Sequence, residues 1–502
     1  MGTWFEGISN ALSGGGFTMG EGDVMAATRD LEDALKKSMT GGVAGVGYQT
    51  APGMSGDDVS PLLLQSVDDQ LANATTYSDT DFVIFDRMPK DQAKQTLHEI
   101  RRHVSHGDRF IDMAAAEGEA GINDFSTFEA DSVQIKFWTA RREMSYVAAN
   151  IPGQATLVKG SLLALYTKEA MTQLLRSVEI DTIHGDSALN PLKTDGLIKQ
   201  IKAKGNVTDL NGRQLTFDAI ERKLAEVSNV DVGAKPTHMF VTPNVWHDLS
   251  RQAQDGKERF DNTGTTHGRN FTFGSTGLEV FSPDSNRRIK VEKAPFLDDQ
   301  RAYSSPYDKK TAALYASYDP KGGFAPGAIT VSSKSAGADA SSKFAADDAG
   351  TFYYHIMGVN AYGHSAAVAT STQAVAAGEI ATILLDVPSP APKYYHVFRS
   401  TAGGAATTSR FLFSVAHNTS GAGGKVSIVD SNAVRQNCSR VLMLNLSGPE
   451  ELAFYRLLPL ARIPLAQVEL KIPFVLFMSG ACKVKVPEKQ VLWENVGVAN
   501  PL

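Results

Sequence analysis

The stretch FVIFDRMPKDQAKQTLHEIRRHVSHGDRF, from Phe82 to Phe110, leads through a small, acidic segment into SVQIKFWTARREMSYVA, from Ser132 to Ala148. Both outer segments have the composition of long strands, whereas the middle segment, MAAAEGEAGINDFST, has that of a flexible tip. This order predicts an extended two-stranded projection. Because an isolated two-stranded ribbon is only marginally stable in water, the projection needs a further surface to lie on.

The chain before the projection is rich in glycine and carries two short helix signals. One runs from Asp23 to Met39, and the other starts with Ser60 as the cap and Pro61 as the first helical residue. Helices this short, on flexible tethers, bury little surface alone. Residues 1–80 are therefore predicted to form an arm that lies across another surface.

A strong helix signal follows the projection from Ser161 to His184, with Gly185 placed to cap the C-terminal end. Its apolar residues are spaced four apart and form one stripe: Leu162, Tyr166, Ala170, Leu174 and Val178. At about 1.5 Å per residue the helix would be ~36 Å long, well above the average for globular proteins. This segment is predicted to be a spine helix.

An α/β layer is predicted from the segments after the spine. Residues 205–214 are predicted as a loop, Phe217 to Val227 as a helix, and Thr237 to Pro243 as a buried strand directly followed by a helix. A strand pair around a Pro/Asp/Ser/Asn turn follows within residues 277–298. The same α/β character returns after Arg435, where PFVLFMSGACKVKVPEKQVLWENVGV predicts a closing strand pair.

Between these two halves the composition shifts to alanine, glycine, serine and threonine, and strand-like runs recur at short intervals. The first run is TFYYHIMGVNAYGHSAA, which starts at Thr351 and turns at Asn360. Regular short strands separated by turn signals predict an all-β sandwich over residues 326–435, inserted into the host fold. Three of its residues are predicted to face the core or the sheet surface: Tyr354, Ile356 and Val359.

Composition places the 502-residue chain among folded proteins, with 42% hydrophobic and 21% charged residues. The net charge of -6 disfavours a protein that coats nucleic acid, because phosphate binding needs dense lysine and arginine. No signal peptide and no apolar run of about 20 residues is found, so we expect synthesis in the cytoplasm and no membrane contact. Cys438 and Cys482 are too few for a disulfide framework and are predicted to be buried free thiols.

No constellation of catalytic, cofactor-binding or metal-ligating residues stands out, so no site residues, no cofactor and no enzyme activity are predicted. His98 and His103 are five residues apart, whereas the helical zinc motif needs histidines four apart on one face. Three basic pairs lack the interleaved aromatic residues of a single-strand-binding surface: Arg101-Arg102, Arg141-Arg142 and Arg287-Arg288. We expect them to form intersubunit salt bridges or to contact acidic residues of the tip.

Taken in order, the arm, projection, spine helix, α/β layer and closing strands resemble the major capsid protein of a tailed bacteriophage with the Hong-Kong-97-type shell fold. The extended loop of that fold corresponds to RMPKDQAKQTLHEIRRH and FWTARREMSYVA, and the spine helix with its following segment to KEAMTQLLRSVEIDTIHGDSALNPLKTDGLIKQI. PTHMFVTPNVWHDLS resembles an axial-domain strand and helix, and GACKVKVPEKQVLWENVGV the closing strands. The inserted runs FYYHIMGVNAYGHS, YYHVFRS, FLFSV and KVSIVD are similar to fibronectin-type-III or immunoglobulin-like domains.

The resemblance implies an α+β fold divided into an N-terminal arm (residues 1–80), an extended loop (81–158), a peripheral domain (159–214), an axial domain (215–325 and 436–480), an inserted immunoglobulin-like sandwich (326–435) and peripheral return strands (481–502). It also implies a structural protein of the virion that assembles as hexamers and pentamers into an icosahedral shell. A portal and a separate scaffolding protein are its implied partners, and the enclosed double-stranded DNA is contacted only weakly.

Two other interpretations stay open at this point. One is an encapsulin-like shell, which has a similar fold but encloses protein cargo. The other is a phage tail or fibre protein, in which immunoglobulin-like domains are also common. A bacterial surface adhesin is disfavoured because the chain shows no export signal.

Some capsid proteins of this family crosslink through a lysine on the extended loop. The proposed tip, Ala114 to Asp131, contains no lysine, and Lys136 lies further down the ribbon. We therefore predict that subunits are not covalently crosslinked.

Overall fold

The computed structural model describes most of the chain that follows the predicted arm, and all described elements lie in one unit, Ala72–Leu502. The described residues are 81–107, 114, 117, 125–146, 162–229, 232–254, 278–281, 288–298, 304–308, 311–319, 322–466 and 470–498. The helices predicted in the arm and most of the predicted ribbon tip lie outside these residues. Within them the fold is mixed α+β, as expected from the sequence.

The helices are α1 Val83–Arg87, α2 Leu162–His184, α3 Leu197–Lys204, α4 Phe217–Val227 and α5 Pro243–Gln254. The strands before the predicted insertion are β1 Lys90–Gln92, β2 Leu97–Ser105, β3 Thr127–Gln134, β4 Lys136–Ser145, β5 Asn206–Asp209, β6 His238–Val241, β7 Leu278–Phe281 and β8 Arg288–Lys293. The strands within it are β9 Val331–Ala338, β10 Gly350–Phe352, β11 Tyr354–Val359, β12 Val368–Ala369, β13 Gln373–Val375, β14 Glu379–Leu385, β15 Tyr394–Arg399, β16 Arg410–Ala416 and β17 Val426–Asp430. The strands after it are β18 Cys438–Leu444, β19 Leu452–Arg456, β20 Ala461–Pro464, β21 Lys471–Val484 and β22 Val491–Gly497.

The predicted spine helix is confirmed over Leu162–His184 (α2). It packs on a five-stranded sheet of order β1-β19-β21-β20, in which β4 also pairs with β21. Ala170, Leu174 and Val178 of the predicted stripe are buried in the core between helix and sheet. Gly185 is needed where the helix ends, because a Cβ there would lie 2.2 Å from the carbonyl oxygen of Thr194.

A second, six-stranded sheet has the order β5-β22-β18-β6-β8-β7. Helices α4 and α5 cover it and bury Ile220, Leu224 and Val245 in its core. Thr216 caps α4, since its hydroxyl accepts a hydrogen bond from the N–H of Ala219 at 3.3 Å. The predicted helix at Phe217, the buried strand with its following helix and the β7-β8 pair are all confirmed.

The residues of the predicted insertion form two sheets, β12-β11-β15-β16 and β17-β14-β9, together with the small pair β10-β13. One apolar core lies between the sheets and includes the fully buried residues Tyr354, Ile356, Tyr395 and Ile428. The predicted burial of Tyr354 and Ile356 is confirmed, whereas Val359 at the end of β11 is only half-buried. The insertion thus has an interior of its own, separate from the cores of the two host sheets.

The predicted ribbon is shorter than expected. Only β2 and β3 pair with each other, from Leu97 opposite Gln134 to the tip side. Strand β4 leaves the ribbon and pairs with β21 along ten residues. The reason is burial: Trp138, Ala140 and Met144 alternate along β4 on one apolar face, which the helix-covered sheet buries and the ribbon cannot.

Three further expectations differ from the structure. Asn206–Asp209, predicted as a loop, is a strand that pairs in parallel with β22. The predicted closing pair does not form, because the turn at Pro487–Lys489 carries the chain from the five-stranded sheet to the six-stranded one. Contacts with the sandwich begin before the expected start at residue 326, since the carbonyl of Ser304 already accepts a hydrogen bond from the N–H of Phe411 at 3.0 Å.

Candidate functional site

The ribbon β2-β3 is anchored at its base by a small apolar cluster. Ile100 and Ile135 are buried there together with Tyr455 of β19. The ring centroid of His98 lies 4.4 Å from that of Tyr455. Beyond this cluster the ribbon is open, and every residue of β3 except Val133 is exposed.

Ion pairs set the direction of the ribbon above that cluster. Arg102 contacts Glu129 at 2.6 Å across the ribbon and Glu488 of the host at 3.4 Å, while Lys483 contacts Asp131 at 2.5 Å. The hydrogen bond from Arg102 lowers the pKa of Glu129. Burial acts to raise the pKa of Asp131, but the hydrogen bond and charge of Lys483 outweigh it and the pKa is lowered. Because the carboxylates are largely exposed, these pairs contribute little stability and mainly fix orientation.

The outer part of the ribbon carries large apolar side chains that the described part of the chain does not cover. Phe125 is 79% exposed and Phe128 72%, and Leu97, at the base of the ribbon opposite Gln134, is 61% exposed. The ring of His103 lies between those of Phe128 and His106, with centroid distances of 5.0 and 4.3 Å. Neighbouring apolar side chains with this exposure are typical of an interaction surface.

A second uncovered region is the end of the five-stranded sheet where β4 and β20 flank β21. Within the described residues, neither the outer edge of β4 nor that of β20 is paired with another strand. All residues of β20 are exposed, Ile463 among them, and the exposed Phe137 of β4 stacks on Phe477 at 5.8 Å. Unpaired edges with apolar side chains are templates for contact with another chain. We define the open surface as Leu97, Phe125, Phe128, Phe137 and Ile463.

Two buried carboxylates of α2 connect the spine to helix α1 and to strand β4. Glu179 accepts hydrogen bonds from the backbone N–H groups of Ile84 at 3.1 Å and Phe85 at 2.8 Å, just before β1. Burial raises the pKa of Glu179 to about 7. Asp181 accepts a hydrogen bond from the indole of Trp138 on β4 at 2.8 Å. Neither residue was predicted as a site residue, and the only signal for them in the sequence is that acids interrupt the apolar run VEIDTI.

A polar network fixes the sandwich on the host fold at one end, which we name the junction. Arg435 contacts Asp348 of the sandwich at 2.6 Å, and its backbone N–H donates to the side chain of Asn495 on β22 at 3.0 Å. Asn495 donates in turn to Asp209 of β5 at 2.9 Å, and Lys343 of the sandwich contacts the same carboxylate at 2.6 Å. Side chains of both parts thus share one network.

The basic pairs contact residues of their own chain. These contacts join Arg101 with Glu99, Arg102 with Glu129 and Glu488, Arg141 with Glu143, and Arg142 with Gln173. Arg102 thus contacts an acid of the predicted tip, Glu129, whereas the partners of the other three arginines lie elsewhere in the chain. Arg287 lies outside the described residues.

Neither thiol is placed for chemistry. Cys482 is buried and Cys438 half-buried, and both are free, which confirms the prediction fully only for Cys482. Burial raises the pKa of Cys438 to about 11, so its reactive thiolate form is scarce near neutral pH. Among the described residues, no group of three or more His, Cys, Asp or Glu side chains is arranged to hold a metal ion. No helix in the described ranges is long and apolar enough to cross a membrane.

No model of a known protein family matches the chain. Individual relatives do match along most of its length. The major capsid protein of Staphylococcus phage S25-3 is 23% identical over 476 residues, which cover 89% of this chain and 94% of the relative. The major capsid protein of Staphylococcus phage K is likewise 23% identical over 476 residues with the same coverage.

Solved structures are similar only in outline. The capsid of cyanophage A-1(L) has a TM-score of 0.44 at 9% identity and covers 87% of this chain and 98% of its own. The SrpI encapsulin of Synechococcus elongatus PCC 7942 has a TM-score of 0.39 at 9% identity, with 88% and 99% covered. Scores this low do not separate a phage shell from an encapsulin. The sequence relatives are structural capsid proteins and not enzymes, and over most of its length this chain is similar to the major capsid proteins of phages.

Proposed function

We propose that this chain is the major capsid protein of a tailed bacteriophage, with the Hong-Kong-97-type shell fold. Copies of it assemble as hexamers and pentamers into an icosahedral shell that encloses the DNA genome. The observation that carries the proposal is the similarity to phage major capsid proteins over 89% of the chain.

The open surface gives this assembly a physical reason. The ribbon has one strand almost wholly exposed, and the β4 and β20 edges of the five-stranded sheet are unpaired within the described ranges. Both leave apolar side chains for a neighbouring copy to cover. Every copy in a shell carries the same ribbon and the same edges. One kind of contact can therefore repeat until the shell closes.

We assign the elements to the parts of such a subunit as follows. The arm is residues 1–80, and the extended loop, residues 81–158, has β2-β3 as its paired part. The spine helix α2 belongs to the peripheral domain, and helices α4 and α5 with strands β6, β7, β8 and β18 belong to the axial domain. The sandwich is an immunoglobulin-like domain displayed on the outside of the particle.

The proposed partners follow from the same assignment. A portal and a separate scaffolding protein take part in assembly, and the finished protein is found in the virion after synthesis in the host cytoplasm. The enclosed DNA is contacted weakly and without sequence preference, because a chain with a net charge of -6 lacks the dense cations that tight phosphate binding needs.

Electron microscopy of the full chain, expressed with and without a co-expressed scaffolding protein, tests the proposal. Closed isometric particles are expected in at least one of the two preparations. Rings, tubes or fibres would instead support a tail or fibre protein, and a monodisperse monomer in both would refute the shell. Particle contents separate the remaining alternatives, since a capsid from infected cells releases nuclease-sensitive DNA and an encapsulin releases protein cargo.

A further inference from the structure

The end of the sandwich opposite the junction carries two loops, whose described residues are 315–319, 322–324 and 360–364. Strand β11 starts at Tyr354, whose hydroxyl donates to Asp430 at the junction end at 2.8 Å, and it ends at Val359. The loop that follows Val359 is therefore roughly 17 Å further along the strand direction.

Exposed rings are concentrated on these two loops. Tyr318 is 59% exposed, Phe324 54% and Tyr362 45%. The rings of Phe324 and Tyr362 lie 5.4 Å apart between centroids, and Tyr318 stacks on His364 at 5.8 Å. We define these residues, with Tyr315, as the aromatic patch. None of them belongs to the core of the sandwich, so packing of that core does not explain them.

The loops that carry the aromatic patch are fixed by hydrogen bonds. The side chain of Asn360 accepts a hydrogen bond from the N–H of Gly363 at 3.0 Å and donates to the carbonyl of Phe324 at 2.7 Å. Tyr318 and His364 exchange both backbone hydrogen bonds, at 3.0 and 3.1 Å. A Cβ on Gly363 would lie 2.0 Å from the carbonyl oxygen of Tyr318, so only glycine permits this approach. Rings held in place before binding lose less entropy when a ligand arrives.

The chemistry of the aromatic patch favours an uncharged ligand. The two loops contain one acid, Asp319, and one base, Lys321, so their formal net charge is zero. The carboxylate of Asp319 already accepts hydrogen bonds from the N–H groups of Gly323 at 2.5 Å and Phe324 at 3.2 Å. A phosphate or an acidic polymer would find no excess of positive charge here. Flat rings with phenolic hydroxyls offer an apolar face and hydrogen-bonding groups together.

We propose that the aromatic patch binds a neutral saccharide chain. A pyranose ring presents flat C–H faces flanked by hydroxyls, which match aromatic faces flanked by phenols. The inference deepens the proposed function and rests on it in one respect: in a shell the patch is repeated many times, and multiple weak contacts combine into strong attachment. A single chain carries the complete patch, so binding itself can be measured without assembly.

Affinity electrophoresis of the purified full chain in native gels containing β-glucan, xylan, mannan or heparin tests the proposal. At least one of the three neutral polysaccharides should retard the chain, and heparin should not. The triple variant Tyr318→Ala, Phe324→Ala and Tyr362→Ala should bind at least about tenfold more weakly, which corresponds to about 1.4 kcal/mol. Val429→Ala, at an exposed position of the opposite sheet, should bind like the unmodified chain.

Thermal melting of each variant shows whether it is folded, and Tyr362→Ser alone replaces the triple variant if that one is not. Retardation by none of the neutral polysaccharides, retardation by heparin alone, or equal binding by the variants would each refute the proposal. Loss of particle formation by the triple variant, without any saccharide binding, would identify the patch as a contact between copies. Because the gel uses unassembled chains, failure of the shell proposal leaves this result readable.

Discussion

The sandwich and the ribbon are both made of antiparallel strands, but the sandwich buries the inner faces of its strands, whereas the ribbon leaves most of its surface exposed. The sandwich packs two sheets over a core and closes one end with the buried pair of Arg399 and Asp430 at 2.7 Å. Among the described residues the ribbon has no second layer, buries little beyond Ile100 near its base and leaves β3 exposed. Strand pairing alone therefore does not give a self-sufficient unit, and a second apolar layer has to be supplied by the chain or by a neighbour.

The largest effect on the free energy of unfolding is expected from breaking the buried ion pair at the end of the sandwich. Asp430→Ala removes the carboxylate that pairs with Arg399 and accepts a hydrogen bond from the hydroxyl of Tyr354, so that a buried cation loses its carboxylate partner and keeps only a neutral one, Asn432. Breaking a buried pair in this way costs ~3–5 kcal/mol of unfolding free energy. Hydrogen exchange followed by mass spectrometry should show faster exchange throughout residues 350–430 and little change in the host sheets.

The matched control is Asp386→Ala, because Asp386 pairs with Lys425 at 3.3 Å on the surface, with exposures of 50% and 37%. Its effect should stay within ~0.5 kcal/mol. Equal effects of the two substitutions would show that the sandwich is not held by its buried pair.

The second-largest effect is a pH dependence of the free energy of unfolding, and it arises where the spine contacts the segment that leads into the ribbon. Burial raises the pKa of Glu179 from 4.5 to about 7 in the folded chain. The folded state thus binds this proton more tightly than the unfolded chain. The free energy of unfolding should be highest below the lower value, fall by ~3 kcal/mol as the pH rises to the higher one, and then stay level.

Denaturant unfolding at a series of pH values measures this slope through tryptophan fluorescence, since Trp138, Trp246 and Trp493 all lie in the host fold. Glu179→Gln should lack this component of the slope. Glu169→Gln, at an exposed position of the same helix, should keep it. A slope that survives Glu179→Gln unchanged would contradict the assignment.

Substitutions at the open surface are expected to change the stability of the single chain only slightly but to weaken assembly clearly. Phe128→Ser with Ile463→Ser removes apolar groups that the described part of the chain leaves exposed, so the free energy of unfolding of unassembled chains should change by less than ~0.5 kcal/mol. The concentration needed for particle formation, followed by light scattering, should rise at least about tenfold. Val429→Ser, exposed on the sandwich, is the control and should leave assembly unchanged. Normal assembly of the double variant would rule out these side chains as contacts between copies.

We expect that the subunits are not crosslinked covalently when particles mature. The first lysine after the ribbon tip in the sequence, Lys136, is at the ribbon base, where its Nζ donates to Gln134 at 2.7 Å and to the carbonyl of Pro191 at 2.8 Å. Denaturing gels of mature particles should therefore show one band near 53.9 kDa. A ladder of heavier bands would show that the open ribbon is linked covalently to a neighbour.

Whether an expectation from the sequence was correct depends on how far apart in the chain the interacting residues lie. The stripe through Ala170, Leu174 and Val178 repeats within one helix, and the structure confirms it. The strand-like run from Ser132 to Ala148 gives no sign that its partner changes at Ile135, because both halves have strand composition. The buried carboxylate of Glu179 was missed for a similar reason, since its hydrogen-bond donors are far away in the chain.

By itself, the sequence determined where most helices and strands lie and that an all-β unit interrupts an α/β host. These features depend on the spacing of apolar and turn residues over a few positions. Only the tertiary structure decided that Lys136 pairs opposite Gly480, that the closing strands enter different sheets, and that Asn360 fixes exposed rings at the end of the sandwich. Partners so distant in the chain are chosen by which faces can be buried together, and that choice is a property of the whole fold.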